Sequence, residues 1–387
     1  MNILVLSRFA YDRSPYRCFV HDQVRAYRAL GHDARVISCL SLGKGGVNDF
    51  AAGKRENVVD GVPVYYPRHP SFSSYGQYGA NVFFGYHAVR RTARTMAPDF
   101  VPDVIHAHFI DFDGAVAVRL AQDWGIPAVI TTHGYDTVDE IAAGHSEKLI
   151  PICRRADAVV AVSSMLKNAL LRQDPSLRIE VILNGFRLEA VPAEKTKKRH
   201  SVISVGALTA RKHFDITIQA LALARRKIPD ATLTVVGQGE ERQRLEELAQ
   251  KLGLGQAVTF TGFLPNEEVL ARMAEHEVFA MPSVREGFGI VYPEAMASGC
   301  VTIGTQGEGI ADFITDGVNG GLVPPGDPEA LAGYLVRCFT DEAFRRRLAS
   351  AGAESARGLT WENNAKRNLA LFERLAAEKK KSGFRTN

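Results

Sequence analysis

Two successive series of short apolar strands and amphipathic helices run along this chain, and the second begins after a lysine-rich stretch at 195–199. In the first series NILVLS at 2–7 is followed by helix-spaced apolar and aromatic residues from Phe19 to Leu30, and ARVIS at 34–38 returns to strand character. VIHAH at 104–108, PAVITT at 127–132 and the stretches 156–162 and 179–183 continue the alternation, with a hairpin expected at Asp60-Gly61. In the second series 202–205, 231–236, 258–261, 278–281 and 301–304 read as strands, with helices over 215–224, 240–252 and 327–339. A strand, helix, strand order with short links builds a parallel sheet covered by helices, although such a pattern does not contain the strand order. The 387 residues exceed what one hydrophobic core organises. The expected division is an N-terminal domain over 1–192, a second over 193–360, a helix at 361–378 returning to the first domain, and a basic tail at 379–387.

Charge excludes some function classes. The formal net charge is only +4 and the basic residues mostly have acidic neighbours, whereas a nucleic-acid protein concentrates its cations in a stripe. Two basic runs, Lys195 to His200 and Lys379 to Lys381, read as a solvated linker and a tail, and are compatible with contact at an anionic membrane surface. The five cysteines, at 18, 39, 153, 300 and 338, are odd in number and lack CxxC spacing. That pattern fits a reducing cytoplasm better than a disulfide scaffold or a structural zinc site. The apolar start MNILVLS lacks a charged leader and a small-residue cleavage pattern, so it reads as a first strand rather than a signal peptide. No stretch reaches the ~18 consecutive apolar residues of a membrane span.

The strongest local signal is EGFGIVYPEAMASG at 286–299. Gly287 and Gly289 let backbone amides approach a ligand, and Ile290 to Ala297 reads as a helix with Pro293 in its first turn. A helix start preceded by glycines favours a phosphate or a polarised sugar hydroxyl. Glu294 sits in an otherwise apolar segment and needs a hydrogen-bond donor, whether from a ligand or from the protein itself. His106 and His108 share a face of VIHAH, but two imidazoles without a third ligand do not make a metal site.

The spacing of Glu286 and Glu294, with seven residues between them, resembles the motif of retaining glycosyltransferase family 4. HAHF at 106, TTHG at 131, ILNGF at 182, VGALTARKH at 205, TGFLPNEEV at 261, GEGI at 307 and GLVPPGDPEALA at 321 follow the family in the same order. The resemblance covers roughly 1–375. It implies an α/β fold of GT-B architecture, with two Rossmann-like domains facing across a central cleft, a nucleotide-sugar donor held mainly by the C-terminal one, and no cofactor or obligatory divalent metal.

Carried onto matching positions, the resemblance implies that Glu286 contacts donor-sugar hydroxyls and Glu294 the ribose. Backbone at Gly287, Phe288, Gly289 and Ile290 would face the sugar and diphosphate, and Lys212 would neutralise the diphosphate. A lone lysine after a strand could equally be an exposed cation. Ala207 stands where the family often has arginine, and the neighbouring Arg211 is the candidate replacement. Phe263 and Leu264 would border the nucleobase. His133, which alone could be a core histidine, becomes a site residue near the reacting bond. His108 would line the cleft on the acceptor side, where Arg17 could approach an anionic acceptor, while His106 reads as structural; Asp111, Asp113 and Asp136 are candidate acceptor contacts or, alternatively, solvated loop acids. Cys18 occupies a place where the family has glycine. Gly237 and Gly239 in VVGQGE read as a strand-to-helix turn.

The function implied is retaining sugar transfer from a UDP- or GDP-sugar to a saccharide or polyprenyl-linked saccharide, in polysaccharide or glycoconjugate biosynthesis. The expected location is the cytoplasm, including the inner face of the cytoplasmic membrane. The alternatives are a catalytically impaired sugar-nucleotide-binding subunit and a sugar phosphorylase on the same scaffold. A dinucleotide oxidoreductase is disfavoured, because neither first strand-helix turn carries GxGxxG.

Overall fold

The computed structural model describes residues 1–7, 19–41, 56–70, 78–96, 99–192 and 196–383. Arg17, Cys18 and Lys195 lie outside these residues. The chain forms two units, one made of Met1–Leu183 with the segment from Trp361 onward, the other of Asn184–Thr360. The division falls nine residues before the 192/193 expected from the linker-like composition. Phe186 explains the shift: it is 2% exposed among Ile203, Val236 and Tyr292 of the second unit, and its N–H donates to Leu359 O.

In the first unit the strands are β1 (Asn2–Leu6), β2 (Asp33–Ile37), β3 (Leu40–Ser41), β4 (Glu56–Val59), β5 (Val62–Tyr65), β6 (Arg68–His69), β7 (Val104–His108), β8 (Ala128–Thr132), β9 (Ala158–Ala161) and β10 (Ile179–Val181). Eight of them form one sheet in the order β10-β9-β8-β7-β1-β2-β5-β4, parallel except for the β4/β5 hairpin. That hairpin turns at Asp60 (φ 47°) and Gly61 (φ 80°), the left-handed pair that matches the twist of its strands. The helices are α1 (Phe19–Ala29), α2 (Tyr78–Met96), α3 (Ala115–Trp124), α4 (Ser146–Arg155) and α5 (Ser164–Gln173). Ser163 caps α5, its hydroxyl accepting from Leu166 N at 3.4 Å.

Every residue of β7, β8 and β9 is buried, as expected of parallel strands covered on both faces, which is why these segments read as continuous apolar runs.

The second unit contains β11 (Lys198–Val205), α6 (Phe214–Ala224), β12 (Thr232–Val236), α7 (Arg242–Lys251), β13 (Val258–Gly262), α8 (Asn266–Ala274), β14 (His276–Ala280), α9 (Val291–Ala297), β15 (Val301–Thr305), β16 (Gly321–Val323), α10 (Pro328–Thr340) and α11 (Glu342–Ala356). Its strands are all parallel in the order β13-β12-β11-β14-β15-β16. Numbered within the unit this is 3-2-1-4-5-6, the doubly wound order. Connections diverge to opposite sides between β11 and β14 here, and between β1 and β7 in the first unit. In such sheets the carboxyl ends of the strands flanking that reversal leave a crevice for ligands.

The last helix, α12 (Trp361–Gly383), packs on α1. Phe372 lies in the core of the first unit with its ring 5.9 Å from that of Tyr27, and Gln23 Nε2 donates to Asn364 Oδ1 at 2.6 Å in the buried interior. The helix continues to Gly383, so 379–383 are helical where the sequence reading places a tail.

Candidate functional site

In the second unit the groups with chemistry stand at the carboxyl ends of β11 and β14. After β11 the chain runs through Ala207 to the tight turn Ala210–Lys212. That segment lies against the turn after β12 so closely that a Cβ on Gly237 would come 1.9 Å from Gly206 O. Only glycine permits the approach, and it keeps Leu208 N bonded to Gln238 O at 3.0 Å.

Lys212 is thereby turned inward and is 9% exposed, whereas Arg211 beside it is exposed. The Lys212 ammonium bonds Glu286 Oε2 in an ion pair whose side chains are 11% and 10% exposed. The same carboxylate lies 3.3 Å from Ser283 Oγ, which is 2.8 Å from Tyr292 Oη, and Tyr292 donates to Met281 O at 2.6 Å. Burial holds the Tyr292 phenol well above its usual range, reinforced by the nearby Glu286 charge, so it remains a hydrogen-bond donor.

Glu308 accepts the Glu286 N–H at 2.7 Å, and Gly309 N donates to Glu286 O at 3.0 Å. Desolvation raises the Glu308 carboxyl despite the N–H groups it accepts from. The GEGI turn, which in sequence reads either as lying below the donor site or as a structural turn, clamps the Glu286 backbone. Ser283 and Tyr292 were not singled out by the sequence reading. A lone phenol in an apolar helix start and a serine three residues before Glu286 are the only signals they leave.

Gly289 has φ 71°, and a Cβ there would lie 2.5 Å from the Tyr292 ring. The turn at 286–290 is thus closed over the phenol that braces Glu286. Phe288 is buried against Phe313, with ring centroids 5.1 Å apart, so its side chain supports the turn and only its backbone is available. Ile290 is half-buried at the start of α9. Glu294, expected to be enclosed by apolar neighbours, is only half-buried, and its Oε1 accepts from Asn266 Nδ2 at 3.1 Å. Phe263 is 41% exposed, while Leu264 packs partly against the core.

In the first unit His108 and His133 close β7 and follow β8. Their rings stack at 5.2 Å with a 17° interplanar angle, and His108 Nδ1 lies 3.0 Å from His133 Nε2. Phe19 and Phe109 flank His133 at 4.4 and 5.0 Å. Burial pushes the His133 imidazole down to about 3 and holds that of His108 well below its ordinary range, so both are neutral at physiological pH. Sharing one proton between them leaves His108 Nε2 and His133 Nδ1 in opposite states, one protonated and one bare. Among the described residues neither of these nitrogens has a partner. His106 is a core residue, bonded to Thr131 Oγ1 at 2.7 Å and to Tyr27 Oη at 3.3 Å.

Asp136 differs from the expectation for an acceptor contact. It is 2% exposed, and its carboxylate is taken up by backbone: His133 N at 2.9 Å, Gly134 N at 3.2 Å and Ile110 N at 3.0 Å. Asp111, half-buried, lies on the turn Ile110–Gly114 after β7. Among the described residues no group of three or more His, Cys, Asp or Glu is placed to hold a metal ion, and no helix is long and apolar enough to cross a membrane.

Against known proteins, residues 19–190 match the model described as Glycosyltransferase Family 4, and 187–355 match the one described as Glycosyl transferases group 1. A D-inositol 3-phosphate glycosyltransferase of Nocardioides is 29% identical over 313 residues, spanning 71% of this chain and 68% of the relative. A glycogen synthase of Mycobacterium tuberculosis is 27% identical over 358 residues, spanning 87% and 84%. Among solved structures, sucrose-phosphate synthase from Thermosynechococcus elongatus superposes with a TM-score of 0.77 at 23% identity, covering 97% of this chain and 99% of that one. Anabaena HepE in complex with UDP and glucose superposes at 0.74 with 21% identity, covering 97% and 100%. These structural likenesses are of fold.

Proposed function

We propose that this chain, which belongs to the glycosyltransferases of family 4 and group 1, moves a sugar from a nucleoside diphosphate donor with retention of configuration. The observation that carries the reading is the buried Lys212–Glu286 pair at the carboxyl ends of β11 and β14. The cation and the carboxylate that match each other here are each matched again by a sugar nucleotide, whose diphosphate takes the ammonium and whose sugar hydroxyls take the carboxylate. As the bond from the anomeric carbon to the phosphate oxygen breaks, negative charge grows on the diphosphate, and the nearly buried Lys212 ammonium meets it. The acceptor oxygen forms the new bond to the anomeric carbon, and its proton passes to the departing phosphate oxygen.

Lys212 and the amides of the 287–290 turn together supply the charge compensation that a divalent metal gives elsewhere, so the donor is bound without one. Arg211 stands ready for a phosphate oxygen in place of the arginine absent at Ala207, and Glu294 serves the ribose. His133 is neutral and offers a single nitrogen as donor or acceptor to the sugar. Arg17, His108 and Asp111 serve the acceptor, whereas Asp136 is better read as support for His133.

A uridine donor is favoured by the structural likeness to HepE, solved with UDP and glucose. A saccharide or lipid-linked saccharide acceptor, and work at the cytoplasmic face of a membrane in polysaccharide or glycoconjugate assembly, complete the reading. Calorimetry without added metal against UDP-, GDP-, ADP- and dTDP-sugars tests it. One donor class should bind selectively and weaken at least tenfold in Glu294→Ala. Binding of none of them would point instead to an impaired partner subunit or another ligand class.

A further inference from the structure

Two loops carry the stacked imidazoles, and each departs from regular strand geometry immediately beyond its histidine. Phe109, next to His108, has φ 74°, and Gly134, next to His133, has φ 123°. A non-glycine residue in the left-handed region is strained and persists only where its surroundings over-determine it. Asp136 is the group that ties the two loops together. Oδ1 accepts from His133 N and Gly134 N, and Oδ2 accepts from Ile110 N, one residue beyond Phe109. Backbone–backbone bonds add to this: Phe109 N donates to Thr131 O at 2.8 Å, and Thr137 N and Val138 N donate to Gly134 O at 2.9 and 2.8 Å. Among the described residues the Asp136 carboxylate bonds the backbone N–H groups of both loops at once, beside the His108–His133 ring contact.

We propose that Asp136 is a positioning residue that fixes the facing geometry of His108 and His133 by holding the two loops that carry them. The proposal rests on the reading of His133 as a substrate-facing group. Asp136 itself contacts no substrate. Its carboxylate fits the task because one anion with two oxygens can satisfy three N–H groups in a buried place, where an unpaired donor is costly. The titratable groups coupled to it are Asp111 on the turn after β7 and Cys153 on α4, while His133 acts on it through its backbone N–H and the Thr132 hydroxyl also bonds it. Asparagine in its place would keep one acceptor oxygen and turn an N–H toward either Ile110 N or the His133–Gly134 amides. Alanine would leave all three amides without their acceptor.

The test follows the imidazoles by long-range nitrogen-15 correlation spectra of the full chain across pH 5 to 8, with UDP binding measured in parallel. In the wild type neither His108 nor His133 should titrate. In Asp136→Ala, His133 should acquire a titration in the ordinary histidine range, near pH 6.5, and Asp136→Asn should change in the same direction. The affinity for UDP, held by the other unit, should stay within about twofold. If either folded variant keeps the wild-type imidazole behaviour, or if its imidazole change comes together with loss of UDP binding, the positioning role is overturned. Failure of the wild type to bind UDP would instead count against the donor reading and leave the imidazole comparison standing.

Discussion

Lys212 and Glu286 pose the sharpest question at the scale of single residues, because among the described residues each is a buried charge paired with the other alone. Removing one partner strands the other, and for buried pairs that costs about 3–5 kcal/mol. The residual exposure of both side chains places the expected cost at the low end of that range. Lys212→Met should therefore lower stability measurably in urea unfolding and reduce the transfer rate by about a hundredfold or more, the loss typical of deleting one donor to a developing anion. The double change Lys212→Met with Glu286→Gln should regain most of the stability and none of the rate. Equal stability of the single and double variants would show that the pair is not coupled.

Buried titrating groups make a second prediction. Burial lowers His106 and His133 from 6.5 to about 3 and lowers His108 as well, so the fold binds fewer protons there than the unfolded chain does. Their contribution is full above about pH 6.5 and is lost as the pH falls. Asp136 acts in the opposite sense. Desolvation raises it from 3.8 to about 6, so its contribution is full in acid and is lost as the pH rises through 6. Three imidazoles with the larger displacements outweigh one carboxyl. Stability from denaturant titration should fall between pH 6.5 and 4, with the Asp136 carboxyl offsetting part of that fall below pH 6.

Elements differ in how plainly they could be read. The hairpin at Asp60-Gly61 was legible because its turn needs two left-handed residues, and this pair supplies them. The 3.6-residue periodicity of 361–377 announced a helix, but its address in the first unit depends on Phe372 reaching Tyr27 and Asn364 reaching Gln23, contacts separated by more than three hundred residues. Candidate site residues divide in the same way. Glu286 and Lys212 were found through the motifs that contain them, yet their pairing comes from the adjacency of β11 and β14, which no local pattern encodes. Asp136 read as an acceptor contact or a solvated loop acid, and only the geometry of two neighbouring strand ends turns it inward. Phe372→Ala tests the address of α12. It should cost about 3–5 kcal/mol by leaving a cavity in the first unit, measured as a shift in the denaturant midpoint, while UDP binding at a given temperature below the transition stays intact.

On the scale of the whole molecule the two units differ in how they use the chain. The second, Asn184–Thr360, is a single continuous stretch with its own doubly wound sheet, whereas the first needs both ends of the sequence. Leu369, Leu371, Phe372 and Leu375 are part of its core, and Asn364 Nδ2 donates to Leu183 O at 2.8 Å, fastening α12 to the place where the chain leaves the unit. Deleting α12 would uncover several large apolar side chains, each worth about 1.5–3 kcal/mol on burial, against a domain stability of only about 5–15 kcal/mol. Residues 1–183 alone should therefore fail to give a cooperative unfolding transition. The excised stretch 184–360 keeps every group of the Lys212–Glu286 network, from Ser283 and Tyr292 to Glu308, and has lost no covalent neighbour within its sheet. It should fold by circular dichroism and urea titration and bind the preferred nucleotide with an affinity close to that of the full chain. A folded 184–360 that binds at least tenfold more weakly would mean that donor recognition needs groups beyond this unit, and would shift weight from Lys212 and Glu286 toward His133.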